Sequence, residues 1–193
     1  MCGFSRQIVE NHCFMKRIII LALLCFSTAT FAQKINWLSM EEALAAHKEQ
    51  PRKIFIDAYT DWCGPCKLLD KNTFQNASVA DYVNKHYYAV KFNAEGNETI
   101  TFNGITFKNP NYNPNKKGRN SVHQMTQYFG VSAYPTMLFI DEELRFIGPI
   151  KGYHTPRQLE LFLKGIASND YKSWNSQEAL QAYAESFNYE FIE

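Results

Sequence analysis

The stretch AYTDWCGPCKLLDKNTF, Ala58 to Phe74, places Cys63 and Cys66 two residues apart directly behind Trp62. Two cysteines at this spacing serve a metal, a structural staple or electron transfer. A zinc centre needs four ligands, or three and a water. His47, His86, His123 and His154 lie far apart in the chain and none forms an H-x-x-x-H pair, which disfavours a metal. A staple across so short a loop closes little chain and stabilises little. In an oxidising compartment an isolated C-x-x-C reads best as a reversible dithiol.

The compartment is read from the N-terminus. Lys16 and Arg17 precede an apolar run, Ile18 to Phe26, and small residues stand at Thr30 and Ala32. A basic segment, a short apolar segment and small residues at a cleavage position make a secretory signal. The run is far short of the ~20 residues a spanning helix needs. A buried helix or an uncleaved anchor is the alternative; a lipoprotein reading at Cys25 suffers from the bulk of Leu24, and Met15 is a plausible start. The expectation is a signal peptide over 1–32 and a periplasmic or secreted mature chain. Cleavage removes Cys2, Cys13 and Cys25, leaving only Cys63 and Cys66. It also removes Arg6, Lys16, Arg17 and Glu10, so 17 basic residues face 18 acidic ones. So balanced a charge offers no argument for a nucleic-acid partner.

With 193 residues, 46% of them hydrophobic, the chain has the composition of one folded domain with a substantial core. Ser39 to Glu42 reads as a capping box opening a short helix that Pro51 closes. KIFIDAY, Lys53 to Tyr59, fits a buried central strand. Asp57 is the exception within it, since a buried carboxylate is costly unless it has a task; otherwise its side chain faces out or caps the next helix. A helix continues from Cys66 through Lys71, a break falls at 76–78, and a second helical stretch runs from Val79 to Lys85. Tyr87 to Phe92 is the next strand, carrying Lys91. Glu98 to Lys108 alternates polar and apolar residues around Asn103-Gly104, a signal for a two-residue hairpin turn. This hairpin and the polar loop after it form an insertion over about 96–120, either a substrate-facing flap or decoration. A short helix over Ser121 to Phe129, strands over Thr136 to Ile140 and Leu144 to Ile150, and an amphipathic helix over Thr155 to Ala167 follow. A last helix, about Ser176 to Phe187, extends the domain. The expected organisation is 1–32 signal, 33–170 main domain, and 171–193 helical extension.

The order β-α-β, α, β-β-α, with C-x-x-C at a strand-to-helix junction, is the thioredoxin arrangement: an α/β fold with a central mixed sheet flanked by helices, here with an inserted hairpin and an extra C-terminal helix. Cys63 stands just before the helix and Cys66 one turn in, so the sulfurs can meet. The first N–H groups of the helix and its dipole favour an anion at Cys63. That makes Cys63 the expected nucleophile and Cys66 the resolving thiol. Asp57, six residues before Cys63, is the candidate to take the proton of Cys66. Lys91 is the candidate cation to hold it, or else a solvated edge lysine.

DWCGPCK, a preceding strand aspartate and Tyr134-Pro135-Thr136 resemble the thioredoxin family over about Asn36 to Ala167. The pattern of Asp57, Tyr59, Asp61, Trp62, Cys63, Cys66, Lys67, Asp70, Lys71, Thr73 and Phe74 is similar to the C-terminal periplasmic domain of thiol:disulfide interchange proteins. The resemblance implies a cis Pro135 beside the dithiol and a neighbouring backbone edge for an extended substrate. Trp62, Gly64, Pro65, Tyr134 and Pro135 are then the expected substrate-binding residues. Tyr134 departs from the smaller residue common before this proline. Trp62 either shields the thiol face or simply packs.

Gly64-Pro65 carries no charge and resembles reducing thioredoxins, near about −270 mV; strong oxidants lie near about −120 mV. The expectation is therefore a protein-disulfide reductase, with an oxidase or isomerase, or a non-catalytic binding module, as alternatives. It implies no cofactor beyond the Cys63–Cys66 disulfide, no metal, disulfide-containing protein substrates and a separate membrane electron donor.

Overall fold

The computed structural model describes residues 34–192. The expected signal peptide and its three cysteines lie outside the described residues. Strand β1 (Trp37–Leu38) leads to helix α1 (Met40–Glu49), β2 (Ile54–Tyr59) and α2 (Gly64–Leu69). A π-helical turn (Asp70–Phe74) continues α2 and gives way to α3 (Ala77–His86) and β3 (Tyr88–Asn93). The hairpin β4 (Ile100–Phe102) and β5 (Ile105–Phe107) precedes the short α4 (Gln124–Tyr128). Strands β6 (Thr136–Ile140) and β7 (Phe146–Lys151), helix α5 (Pro156–Ala167), a 3₁₀ turn (Asp170–Ser173) and α6 (Gln177–Ser186) complete the chain.

Five strands form one sheet in the order β1-β3-β2-β6-β7. β2 and β1 run parallel to β3, while β6 runs antiparallel to both β2 and β7. This is the expected mixed α/β thioredoxin fold, with strands and a helix beyond its core. Pro149 lies in β7, an edge strand, where a missing N–H leaves no inner ladder bond unmade.

Alternation along β2 divides the interior in two. Phe55 joins Leu69, Phe74, Val83, Phe139 and Leu163 on one face of the sheet. Ile54, Ile56 and Ala58 join Met40, Phe92, Met125 and Leu138 on the other. Successive side chains on a strand point to opposite faces, so Asp57 falls on the face of Phe55, the side on which α2 packs. β3 alternates likewise, with Ala89 in the Phe55 cluster and Val90 and Phe92 in the second. Lys91 therefore shares a face with Asp57, and the two are register partners.

The hairpin is neither flap nor decoration in its inner half. Asn103 and Gly104 take φ of 50° and 78°, as a type I′ turn requires. Ile100, Phe102 and Phe107 are buried against Met125 and Phe129. Asn109 closes the base of the insertion, its Nδ2 donating to the Gly96 carbonyl at 2.9 Å and the Ser121 carbonyl at 2.8 Å.

Among the boundaries that differ from the sequence reading, three have a clear local reason. Helix α4 starts only at Gln124, because the His123 N–H is committed to the Ala94 carbonyl and its Nδ1 caps the Met125 N–H. β7 starts at Phe146 rather than Leu144, because Leu144 has φ 57° in a turn held by Asp141, whose Oδ1 accepts the N–H groups of Glu143 and Arg145. The helix after Cys66 widens into the π turn, and Thr73 in that turn donates to the His154 carbonyl at 2.6 Å.

Candidate active site

The chain leaves β2 at Tyr59, crosses Thr60 to Trp62 and enters α2 at Gly64, so Cys63 is the N-cap of that helix. Its sulfur accepts the Cys66 N–H at 3.1 Å, one of the donors a helix start leaves without an internal partner. Gly64 and Pro65 occupy the first helical positions, and proline is at ease there because its missing N–H would have been unpartnered. The Cα atoms of Cys63 and Cys66 are 5.3 Å apart and the sulfurs are joined in a disulfide. The cysteines are 2% and 3% exposed. This close, buried pair is consistent with a catalytic disulfide rather than an external cofactor.

Asp57, Lys91 and Asp70 form a charged cluster on the side of the sheet where α2 packs. Asp57 is 1% exposed, and its Oδ2 receives the Lys91 Nζ at 2.6 Å. Its other oxygen, Oδ1, is buried with no hydrogen-bond partner. Burial pushes the Asp57 carboxyl up from an ordinary 3.8 to about 6, against the pull of Lys91. Burial also opposes the charge of Lys91, but Asp57 and Asp70 outweigh it and hold the ammonium above its ordinary value. Asp70 is the second partner of Lys91, reaching it from the π turn. The rings of Trp37, Tyr59 and Phe74 lie 4.9–5.3 Å from the Lys91 nitrogen, close enough for cation–π attraction.

Trp62 is 36% exposed and meets Tyr134 edge to face at 5.9 Å. The Tyr134–Pro135 peptide bond is cis. Pro135 accepts the Gly152 N–H at 2.8 Å, and Ala133 accepts the Thr136 hydroxyl. Two residues escaped the sequence reading. Glu95, 8% exposed, accepts the Trp62 indole N–H at 2.9 Å and the Asn120 N–H at 2.6 Å through one oxygen, Oε2. The Arg119 guanidinium stacks 4.3 Å above the Trp62 ring. Glu95 stands two residues beyond β3 and Arg119 inside the insertion, so no local pattern ties either to Trp62.

Residues 40–167 match the family described as the thioredoxin-like domain. The chain is 24% identical over 177 residues to the thiol-disulfide oxidoreductase ResA of Bacillus thuringiensis, covering 82% of this chain and 99% of that one. It is also 24% identical over 140 residues to the thiol:disulfide interchange protein DsbD of Pectobacterium atrosepticum, covering 72% of this chain. The chain spans only 20% of that DsbD's length. A thioredoxin-fold protein from Helicobacter pylori superposes with a TM-score of 0.54 at 18% identity, over 70% of this chain and 83% of that one, a likeness of fold. The chain belongs to the thioredoxin-like domain family, as a relative of the DsbD and ResA thiol-disulfide proteins.

Proposed function

We propose that the protein is an extracytoplasmic thiol-disulfide oxidoreductase that reduces disulfides in other proteins. The observation that carries this reading is the buried Cys63–Cys66 disulfide at the mouth of α2; the buried Asp57, six residues before Cys63 and with one unpartnered oxygen, supports it. In the reduced protein, the Cys63 thiolate attacks one sulfur of a substrate disulfide. A mixed disulfide forms, and the other substrate sulfur leaves as a thiolate that takes up a proton. Asp57 accepts the proton of Cys66, the Cys66 sulfur attacks Cys63, and the second substrate thiol departs. Two electrons pass from the dithiol to the substrate; the first substrate thiolate takes its proton from water, and the second takes up the proton that Asp57 received from Cys66. Lys91 and Asp70 hold Asp57 in place, and Trp62, Gly64, Pro65, Tyr134 and Pro135 line the approach.

The uncharged Gly64-Pro65 pair supports the reducing direction, since nothing between the cysteines stabilises a thiolate as strong oxidants require. A signal peptide over 1–32 and kinship with DsbD and ResA support a periplasmic or secreted location, with electrons supplied by a separate membrane protein. The main domain then spans 33–170, with the helical extension over 171–193.

Insulin reduction driven by dithiothreitol tests the reading. The wild-type protein accelerates precipitation of the insulin B chain, and Cys63→Ser abolishes the acceleration. An unchanged rate in Cys63→Ser rejects catalysis, and a reduction potential above about −150 mV rejects the reducing direction.

A further inference from the structure

A cleft of about 510 Å³ opens between the residue before Cys63 and the residue before Pro135. One wall is the segment Ser132 to Tyr134, exposed at Ser132 and Ala133 and half-buried at Tyr134; the other is the inserted loop, through Arg119 and Asn120. The floor is Trp62 with Glu95 behind it. Here the outer half of the insertion meets the site, its inner half being built into the core.

The charges of the cleft are unevenly committed. Its carboxylate, Glu95, is turned inward, with Oε2 shared between the Trp62 indole and the Asn120 amide. The cations at its rim are exposed: Arg119 lines it and Lys151 reaches its wall through Ser132. Arg119 lies over the indole face of Trp62. Lys151, at the end of β7, is exposed and donates to the Ser132 hydroxyl at 3.1 Å, on the opposite wall. Among the described residues, neither cation forms an ion pair. The guanidinium carbon lies 4.3 Å from the ring centroid, and an exposed arginine fork can meet a carboxylate with two parallel hydrogen bonds. Lys116 and Lys117 add to the same sign, three and two residues before Arg119.

We infer that the insertion supplies the selective wall of the substrate cleft, and that Arg119 favours extended polypeptides bearing a carboxylate beside the disulfide cysteine. The inference rests on the disulfide-exchange reading above. Rim charges act mainly on encounter and on choice among partners, and their effect is screened by salt.

The test uses three synthetic peptides, each closed by one internal disulfide and identical except for Glu, Gln or Lys beside the cysteines. Pre-reduced protein is mixed rapidly with each, and second-order rate constants are compared. The wild-type protein reacts faster with the Glu peptide than with the Lys peptide by roughly fivefold at low ionic strength. The ratio shrinks in about 0.5 M salt. Arg119→Gln brings the ratio close to one, and Arg119→Glu inverts it. Equal rates for the three peptides, or an undiminished ratio in Arg119→Gln, overturn the role of Arg119 while leaving disulfide exchange intact. No reaction with any peptide overturns the exchange reading, and the selectivity with it.

Discussion

Asp57 stands where its charge is unwelcome, and the consequence is measurable. Burial is the largest influence on it and raises its pKa from 3.8 to about 6, although Lys91 lies within hydrogen-bonding distance. A carboxyl with a higher pKa in the folded state than in the unfolded chain binds its proton more tightly when folded. Its contribution to stability is whole below pH 4 and is lost as pH rises through 6. At 1.36 kcal/mol per pKa unit, the loss is about 3 kcal/mol. Asn has nothing to ionise, so Asp57→Asn stabilises the oxidised protein by up to about 3 kcal/mol at pH 8 and by little at pH 4. Lys91 keeps Asp70 as a partner and is itself partly exposed, which limits the cost of the exchange. Urea denaturation of both proteins at the two pH values measures this, and an equal difference at both would show that Asp57 is not raised.

At the scale of elements, the C-terminal segment is tied down by charge as much as by apolar contact. Glu160 in α5 is fully buried; its carboxylate accepts the N–H groups of Glu190 and Phe191 and pairs with Lys164 at 2.7 Å. Phe191 then seats in the core beside Tyr82. Removing one partner of a buried ion pair costs about 3–5 kcal/mol, because the remaining groups are left unsatisfied. Lys164 is partly solvated and retains Glu190, so Glu160→Ala should cost about 3 kcal/mol, with amide exchange rising first at residues 190 and 191. Fast exchange there without loss of stability would mean that the tail is merely draped on α5. This tie was not legible in the sequence. In an amphipathic helix with Leu159, Phe162, Leu163 and Ile166 as its apolar stripe, a glutamate reads as solvent-facing. Only a chain end returning from 30 residues away makes Glu160 an interior residue. The Asp57–Lys91 pair was legible, because two parallel strands from neighbouring β-rich runs place matched residues side by side. The bond from Glu95 to Trp62 was not, because it joins loops whose positions depend on the whole fold.

For the molecule as a whole, the question is what the insertion is for. Periodicity revealed its hairpin and turn, since alternation is a local property, but not the surface its apolar side covers. That surface is the second face of the sheet, which α1 and the short α4 alone do not cover. Phe102 and Phe107 fill it against Phe129 and Tyr128, with ring separations of 4.9–6.4 Å. The outer side of the same hairpin carries the exposed Ile105. One segment thus has two tasks: its inner face completes the core, and the loop after it reaches Trp62. A decorative hairpin and a core hairpin differ sharply in energy. Truncating a buried phenylalanine costs about 3–5 kcal/mol, whereas an exposed change of this kind costs within about 0.5 kcal/mol. Phe102→Ala should therefore destabilise the protein by about 3–5 kcal/mol and Ile105→Ala by almost nothing, as read from urea midpoints at constant slope. Phe102 belongs to the cluster on the second face of the sheet and Leu69 of α2 to the other, so the reduction potential of the folded Phe102→Ala protein should match that of the wild type. A cost below about 1 kcal/mol for Phe102→Ala would make the hairpin an appendage, and a shifted potential would mean that the second face of the sheet sets the chemistry of the first.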